Sequence, residues 1–161
     1  MRHKLVSKRK LAPDPKYGNL VLAKFINTIM RKGKKTTAQK VVYGALDQLR
    51  AKAEQAKEAV TDPVLLFEAA MKNVSPLVEV RSKRIGGSNY QIPIPVRTER
   101  RTALAFRWLI TAAREKKGKP MAEKLATELF DAIHQTGAAI KKKQDVHRMA
   151  EANRAFAHFA R

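Results

Sequence analysis

Cysteine is absent from the 161 residues. That excludes a disulfide framework, a zinc knuckle, an iron–sulfur site and a thiol nucleophile. Long apolar runs are missing too: stretches such as Val64-Leu65-Leu66-Phe67 end after a few residues, so no transmembrane helix and no membrane partner is expected. The start, Met1-Arg2-His3-Lys4-Leu5-Val6-Ser7-Lys8, is basic with no apolar stretch behind it, which predicts no secretory leader and an intracellular protein. Internal repeats and low-complexity linkers are also lacking. Acid is scarce: 14 Asp+Glu face 34 Lys+Arg, a formal net charge of +20. Self-repulsion on that scale calls for a neutralising partner, and phosphate backbones supply negative charge at high density.

What is present suits a folded domain. With 44% hydrophobic residues a genuine core is available, and a chain of this length buries roughly 70% of its unfolded surface. One domain is expected over residues 1–161, with a basic N-terminal arm at about 1–18 and a C-terminal helix at about 142–160. The charge is blocky. Residues 17–40 carry six basic and no acidic side chains, residues 41–80 four basic against six acidic, and residues 81–101 six against one. A generic solvated surface would intersperse the signs.

Apolar periodicity predicts six helices. Leu22, Phe25, Ile26, Ile29 and Met30 mark the first, with Gly33 as its left-handed stop. Thr36 with Gln39 resembles a capping box opening a second, through Ala38, Val42, Ala45 and Leu49; the Ala/Lys/Glu-rich stretch after Arg50 leaves its end open. Asp62-Pro63 starts a third. A fourth carries Leu104, Ala105, Trp108 and Leu109 to near Gly118, a fifth starts at Pro120, and a sixth at about Lys142. Trp108 belongs to the apolar stripe of its helix and is expected in the core.

Between residues 78 and 97 the period changes to two. Val78 and Val80 alternate with Glu79 and Arg81, and Tyr90, Ile92, Ile94 and Val96 alternate with Gln91, Pro93, Pro95 and Arg97. Gly86-Gly87-Ser88-Asn89 supplies turn chemistry, so the segment reads as a β-hairpin. Pro93 and Pro95 fall on one strand edge that faces away from the other strand. A lone two-stranded ribbon must lean on the helices or on a partner. The fold class is therefore mainly α, a six-helix domain with one protruding hairpin.

No catalytic constellation emerges, and an enzyme with a small-molecule substrate is not expected. Gly33-Lys34-Lys35-Thr36 resembles the end of a phosphate-binding loop, but Thr28 occupies the upstream glycine position and Lys35 displaces the hydroxyl residue. His3, His134, His147 and His158 lack metal-ligand spacing; neither metal nor cofactor is expected. Basic clusters recur instead at Lys8-Arg9-Lys10, 31–35, 81–84, 97–101, 116–119 and 141–143. Six such runs in a short chain, with acids withdrawn elsewhere, point to phosphate contacts. Tyr90 either stacks on a base or packs within the protein. Neither a helix-turn-helix signature nor a heptad seam is present, and scattered basic loops suit an irregular folded RNA better than a uniform groove. The competing readings are an architectural protein on DNA, which would want an apolar wedge where this hairpin has Gly-Gly-Ser-Asn, and an RNA-modifying enzyme.

Long motifs then carry a resemblance. Asp14-Pro15-Lys16-Tyr17, Leu22-Ala23-Lys24-Phe25-Ile26-Asn27, the run from Glu79 to Pro93, Arg107-Trp108-Leu109 and the tail from Asp145 to His158 closely resemble the small-subunit ribosomal protein seven family. The lack of a long N-terminal extension resembles its bacterial or organellar members. The resemblance implies a cytoplasmic place in the head of the small ribosomal subunit, primary binding to the 3′ major domain of its ribosomal RNA (rRNA), and nucleation of head assembly. By the same token rRNA contacts are expected at Arg2, Lys4, Lys8, Arg9, Lys10, Lys16, Arg31, Lys34, Lys35, Arg97, Arg100, Arg101, Arg107, Lys116, Lys117 and Lys119. Arg81, Lys83, Arg84 and Tyr90 of the hairpin, with Lys142, Lys143 and Arg148 of the tail, are expected to face exit-site tRNA and mRNA. Neighbouring small-subunit proteins nine and eleven are implied partners. Two departures from the family pattern are expected to matter: a long segment from Ala51 to Thr61, and an ending without the closing aromatic pattern.

Overall fold

The structure, a computed structural model, describes residues 11–160. Arg2, Lys4, Lys8, Arg9 and Lys10 lie outside the described residues. Six α-helices occupy Leu20–Ile29 (α1), Lys35–Gln55 (α2), Pro63–Val74 (α3), Thr98–Glu115 (α4), Met121–Ile133 (α5) and Gly137–Ala152 (α6). A 3-10 helix follows at Arg154–Ala160, and strands Val78–Ile85 (β1) and Ser88–Pro95 (β2) form an antiparallel hairpin between α3 and α4.

The helices close around one apolar cluster. Phe25 of α1 lies at its centre, with ring centroids 5.2 Å from Phe67 of α3 and 5.1 Å from Phe106 of α4. Leu46 and Leu49 of α2 and Leu125 and Leu129 of α5 complete it, all essentially inaccessible. Each such side chain contributes about 1.5–3 kcal/mol by leaving water. Trp108 packs against this cluster only partly buried.

Two helices carry side-chain caps. Asn19 Oδ1 accepts from the amides of Val21 and Leu22, and Asp62 Oδ1 from that of Val64. The Thr36–Gln39 capping box does not form: α2 begins at Lys35 with Lys34 as an N-cap that makes no side-chain cap bond. The turn through Lys32 and Gly33, both at positive φ, brings the chain into the helix before Thr36 is reached. α2 runs on to Gln55, which absorbs much of the Ala/Lys/Glu-rich stretch.

The sixth helix starts at Gly137, five residues before Lys142, and stops at Ala152. Gly137 opens α6 instead of closing α5, because Glu128 reaches across to it. That buried carboxylate accepts from the Ala139 amide at 2.9 Å, and a Cβ on Gly137 would meet Glu128 Oε1 at 3.0 Å.

The hairpin turn is Gly86-Gly87 alone, both at positive φ, with Ser88 and Asn89 already in β2. Val78 and Val80 oppose Pro95 and Pro93, while Glu79 and Arg81 oppose Ile94 and Ile92. Opposed residues share a face, so the two apolar rows lie on opposite faces. The Val96 amide donates to the Leu77 carbonyl. Every second residue back shares that inward direction, which leaves Pro93 and Pro95 on the outward edge. Arg97 lies beyond the ribbon, as the N-cap residue of α4.

Candidate nucleic-acid interface

The ribbon leans on the C-terminal segment. Tyr90 packs against Phe156 and Phe159, at 5.1 and 6.0 Å between centroids. Lys83 Nζ donates to the Phe159 carbonyl at 3.0 Å, and the Leu77 amide donates to Nε2 of His147 at 3.1 Å. Of the two readings of Tyr90, packing within the protein is the one this conformation adopts.

At the hairpin base, Glu79 is buried between two guanidiniums. Its carboxylate lies 2.7 Å from Arg81 and 3.2 Å from Arg100. Burial pushes this carboxyl up, but the bonds from Arg81 and Arg100 outweigh it and hold it below the usual range. Arg97 joins them around a small recess. Arg101 donates to the Val96 carbonyl at 2.8 Å, fixing the strand-to-helix joint. Arg84 is exposed near the tip, and Arg148 is exposed on α6, 3.9 Å from Asp145.

A larger basic band crosses α4. Three clefts adjoin one another along it. Ile29, Met30, Val41 and Met121 floor the first, of about 340 Å³, with Arg31, Lys34 and Arg114 around it. Arg114 also borders the second, between α1 and α4, together with Lys24 and Arg107. Arg107 and Lys142 then border the third, between α4 and α6. None of these six cations has a carboxylate partner among the described residues. Burial lowers the Arg114 pKa, and the charge of Arg31 lowers it further.

Lys24 and Arg114 escape the sequence reading, although spacing marks them. Arg107 and Arg114 are seven apart, two turns on one face of α4, and Lys24 stands seven before Arg31.

Two expected contact residues have their ammonium groups inside the fold. Lys116 Nζ sits 2.8 Å from Oε2 of the fully buried Glu128 and 3.1 Å from Asp131. Lys143 Nζ donates to the Asn73 carbonyl at 2.6 Å, in the last turn of α3. Burial lowers its pKa, and the helix C-terminus favours its charge. Lys117 and Lys35 are exposed, and Lys119 pairs with Glu123.

Lys16 is exposed at the end of the N-terminal arm, its ammonium 5.0 and 5.1 Å from the Tyr17 and Tyr43 ring centroids. Buried Asp14 anchors that arm: it accepts from the Lys16 and Tyr17 amides and, at 2.7 Å, from the Tyr43 hydroxyl. Burial and this bond push the Tyr43 pKa up to about 12.

Comparison with known sequences decides between the readings. The family model for ribosomal protein S7p/S5e matches residues 1–154. The chain belongs to that family. It is 54% identical over 159 residues, 99% of both chains, to the small ribosomal subunit protein uS7 of Thermotoga maritima. The proteins of that name from Methylobacterium radiotolerans and Colwellia psychrerythraea are 52% and 54% identical over 158 residues, covering 98% of this chain and 97% of each relative. Membership makes this an RNA-binding, structural protein of the small ribosomal subunit, not an enzyme, with work in translation. No described helix is long and apolar enough to cross a membrane.

Proposed function

We propose that the chain is a primary rRNA-binding protein that captures the 3′ major domain of small-subunit rRNA and nucleates head assembly in the cytoplasm. The band of cations over α4 without carboxylate partners carries this reading. Arg31, Lys34, Arg107 and Arg114 stand in a row in which no described carboxylate forms an ion pair with them. Glu99 and Glu115 border the second and third clefts but do not bridge to these cations, and phosphate backbone is the charge that would neutralise the row. Rigid helices hold the row, so it fits one RNA shape better than another. Lys35, Lys117 and Arg97 extend it from the loops and the hairpin base. Lys119, Arg100 and Lys16 add to it while paired with Glu123, Glu79 and Asp47, from which RNA phosphate must draw them. Lys116 and Lys143 act through the fold instead.

The hairpin, with Arg81, Lys83 and Arg84, and the adjoining α6, with Lys142 and Arg148, form the face that meets exit-site tRNA and mRNA. Their mutual bracing through Tyr90, Phe156 and Phe159 supports one rigid unit. Small-subunit proteins nine and eleven are the neighbours this reading expects.

The test is binding to a 3′-major-domain transcript and to a shuffled transcript of equal length, titrated with salt. Non-specific attraction falls about 10³–10⁵-fold between 50 and 200 mM salt for six to ten phosphate contacts. Tight binding of the native transcript where the shuffled one has been lost is the expected result. Two curves that fall together overturn the reading.

A further inference from the structure

We propose that the cleft between Met30, Val41 and Met121 takes a single unstacked base of the bound RNA, with the phosphate beside that base gripped by Arg31, Lys34 and Arg114. The proposal rests on the rRNA-binding reading and adds a site to it.

Three observations carry it. The floor of the cleft is apolar, formed by Ile29, Met30, Val41 and Met121. Such a floor suits the flat face of a base and offers nothing to a phosphate. Its volume, about 340 Å³, lies in the range of small-molecule recesses, which are concave, largely apolar and rimmed by a few polar groups. The charged groups of the rim, Arg31, Lys34 and Arg114, are all cationic, with Thr37 the neutral polar residue beside them. Arg31 and Arg114 come from different places, the turn after α1 and the last turn of α4, yet line the same cleft closely enough that Arg31 disfavours the charge on Arg114.

Like charges held together over an apolar floor repel until an anion joins them. No described residue supplies that anion. A nucleotide is the one RNA unit that presents a flat apolar face and a phosphate a short distance apart. Paired duplex RNA cannot enter, because its bases are stacked away from side chains. The cleft therefore selects a bulged or looped nucleotide and gives the band a contact that depends on RNA structure.

Base and phosphate contributions separate experimentally, because only phosphate contacts release counterions. In the full chain, Thr37→Leu with Val41→Leu fills the cleft from α2 while leaving every cation in place. Arg31→Gln with Arg114→Gln does the reverse. With the 3′-major-domain transcript, the filled cleft should bind on the order of tenfold more weakly, the cost of losing one base contact. Its salt slope should be unchanged. The double glutamine variant should lower the slope by about 1.4–1.8, two contacts' worth.

Chemical probing supplies the second readout. One unpaired base shielded by the parent chain should become reactive with the filled variant while the rest of the footprint persists. Thr37 is exposed, so Thr37→Leu alone serves if the double variant melts early. A filled cleft with parental affinity and footprint overturns the base site and leaves the rRNA reading standing. An unchanged slope in the double glutamine variant overturns the phosphate grip. A parent chain that cannot tell native from shuffled transcript removes the rRNA reading itself, and the cleft proposal with it.

Discussion

Two basic turns of this protein read almost alike and behave differently. Residues 31–35 run Arg-Lys-Gly-Lys-Lys and residues 116–119 run Lys-Lys-Gly-Lys, each with its glycine at positive φ. In the first turn Arg31 and Lys34 face another cation, Arg114, around an open cleft. In the second, Lys116 is locked against buried Glu128 and Asp131, and Lys119 pairs with Glu123. The difference comes from the neighbours. α5 brings three acids to the second turn, whereas residues 17–40 contain none. A lysine is available to RNA when the element packed beside it places no acid within ion-pair reach.

The largest break in the comparison is Lys116→Met. Glu128 is fully buried and Lys116 is the cation beside it, so the variant strands a carboxylate in the core. Loss of one partner of a buried pair costs about 3–5 kcal/mol. The lower end is expected, since Lys116 is one-third exposed and water reaches the vacated place. Urea unfolding checks this, and adding Glu128→Leu should recover most of the loss. Arg31→Gln, in the matching turn, should stay within about 0.5 kcal/mol of the parent.

Adjacent lysines on α6 sharpen the same contrast at smaller scale. Lys143 donates to the end of α3 while Lys142 faces the α4 groove. Lys143→Met should cost about 1–2 kcal/mol in unfolding, the worth of a charge-assisted bond at a helix C-terminus. Its salt slope of RNA binding should not move. Lys142→Gln should leave stability within about 0.5 kcal/mol and lower the slope by about 0.7–0.9. Equal behaviour of the two variants would dissolve the distinction.

These pairs mark where sequence becomes silent. Helix faces are legible because burial of Phe25, Leu46 and Leu129 imposes a period, and the hairpin is legible because Gly86-Gly87 and the two prolines each have one easy backbone role. The Asp62 cap is local and is readable for that reason. The positions of the Lys116 and Lys143 ammonium groups are not local. They depend on Glu128 and Asn73, 12 and 70 residues away along the chain. The start of α6 fails for the same reason: Gly137 looks like the end of α5 until the carboxylate of Glu128 is brought against it. Arg114 and Lys24 were legible by spacing, but only α4 packing beside α1 makes them one band.

The smallest effect sets two histidines against each other. His134 bridges the Phe130 carbonyl and Glu58, each at 2.9 Å, tying the loop after α2 to the end of α5. The Phe130 bond raises its pKa, burial opposes that, and Glu58 raises it further. His147 accepts from the Leu77 amide through an unprotonated nitrogen, and burial, then Lys143, lowers its pKa. The linkage runs in opposite directions. The His134 contribution is fully present below the ordinary value near 6.5 and fades as pH rises through its raised folded value. The His147 contribution is present above 6.5 and fades as pH falls through its lowered one. Acidification from pH 8 to 5 should therefore strengthen the His134 contribution and weaken that of His147, while the protection of the Leu77 amide and of β1, taken relative to the intrinsic exchange rate at each pH, falls as the hairpin loses its hold on α6. Glu58→Gln should remove part of the His134 contribution and leave that of the Phe130 carbonyl, so that the variant loses more melting temperature with acid than the parent does. A Leu77 amide with the same protection relative to its intrinsic rate at both pH values would mean that His147 does not hold the ribbon.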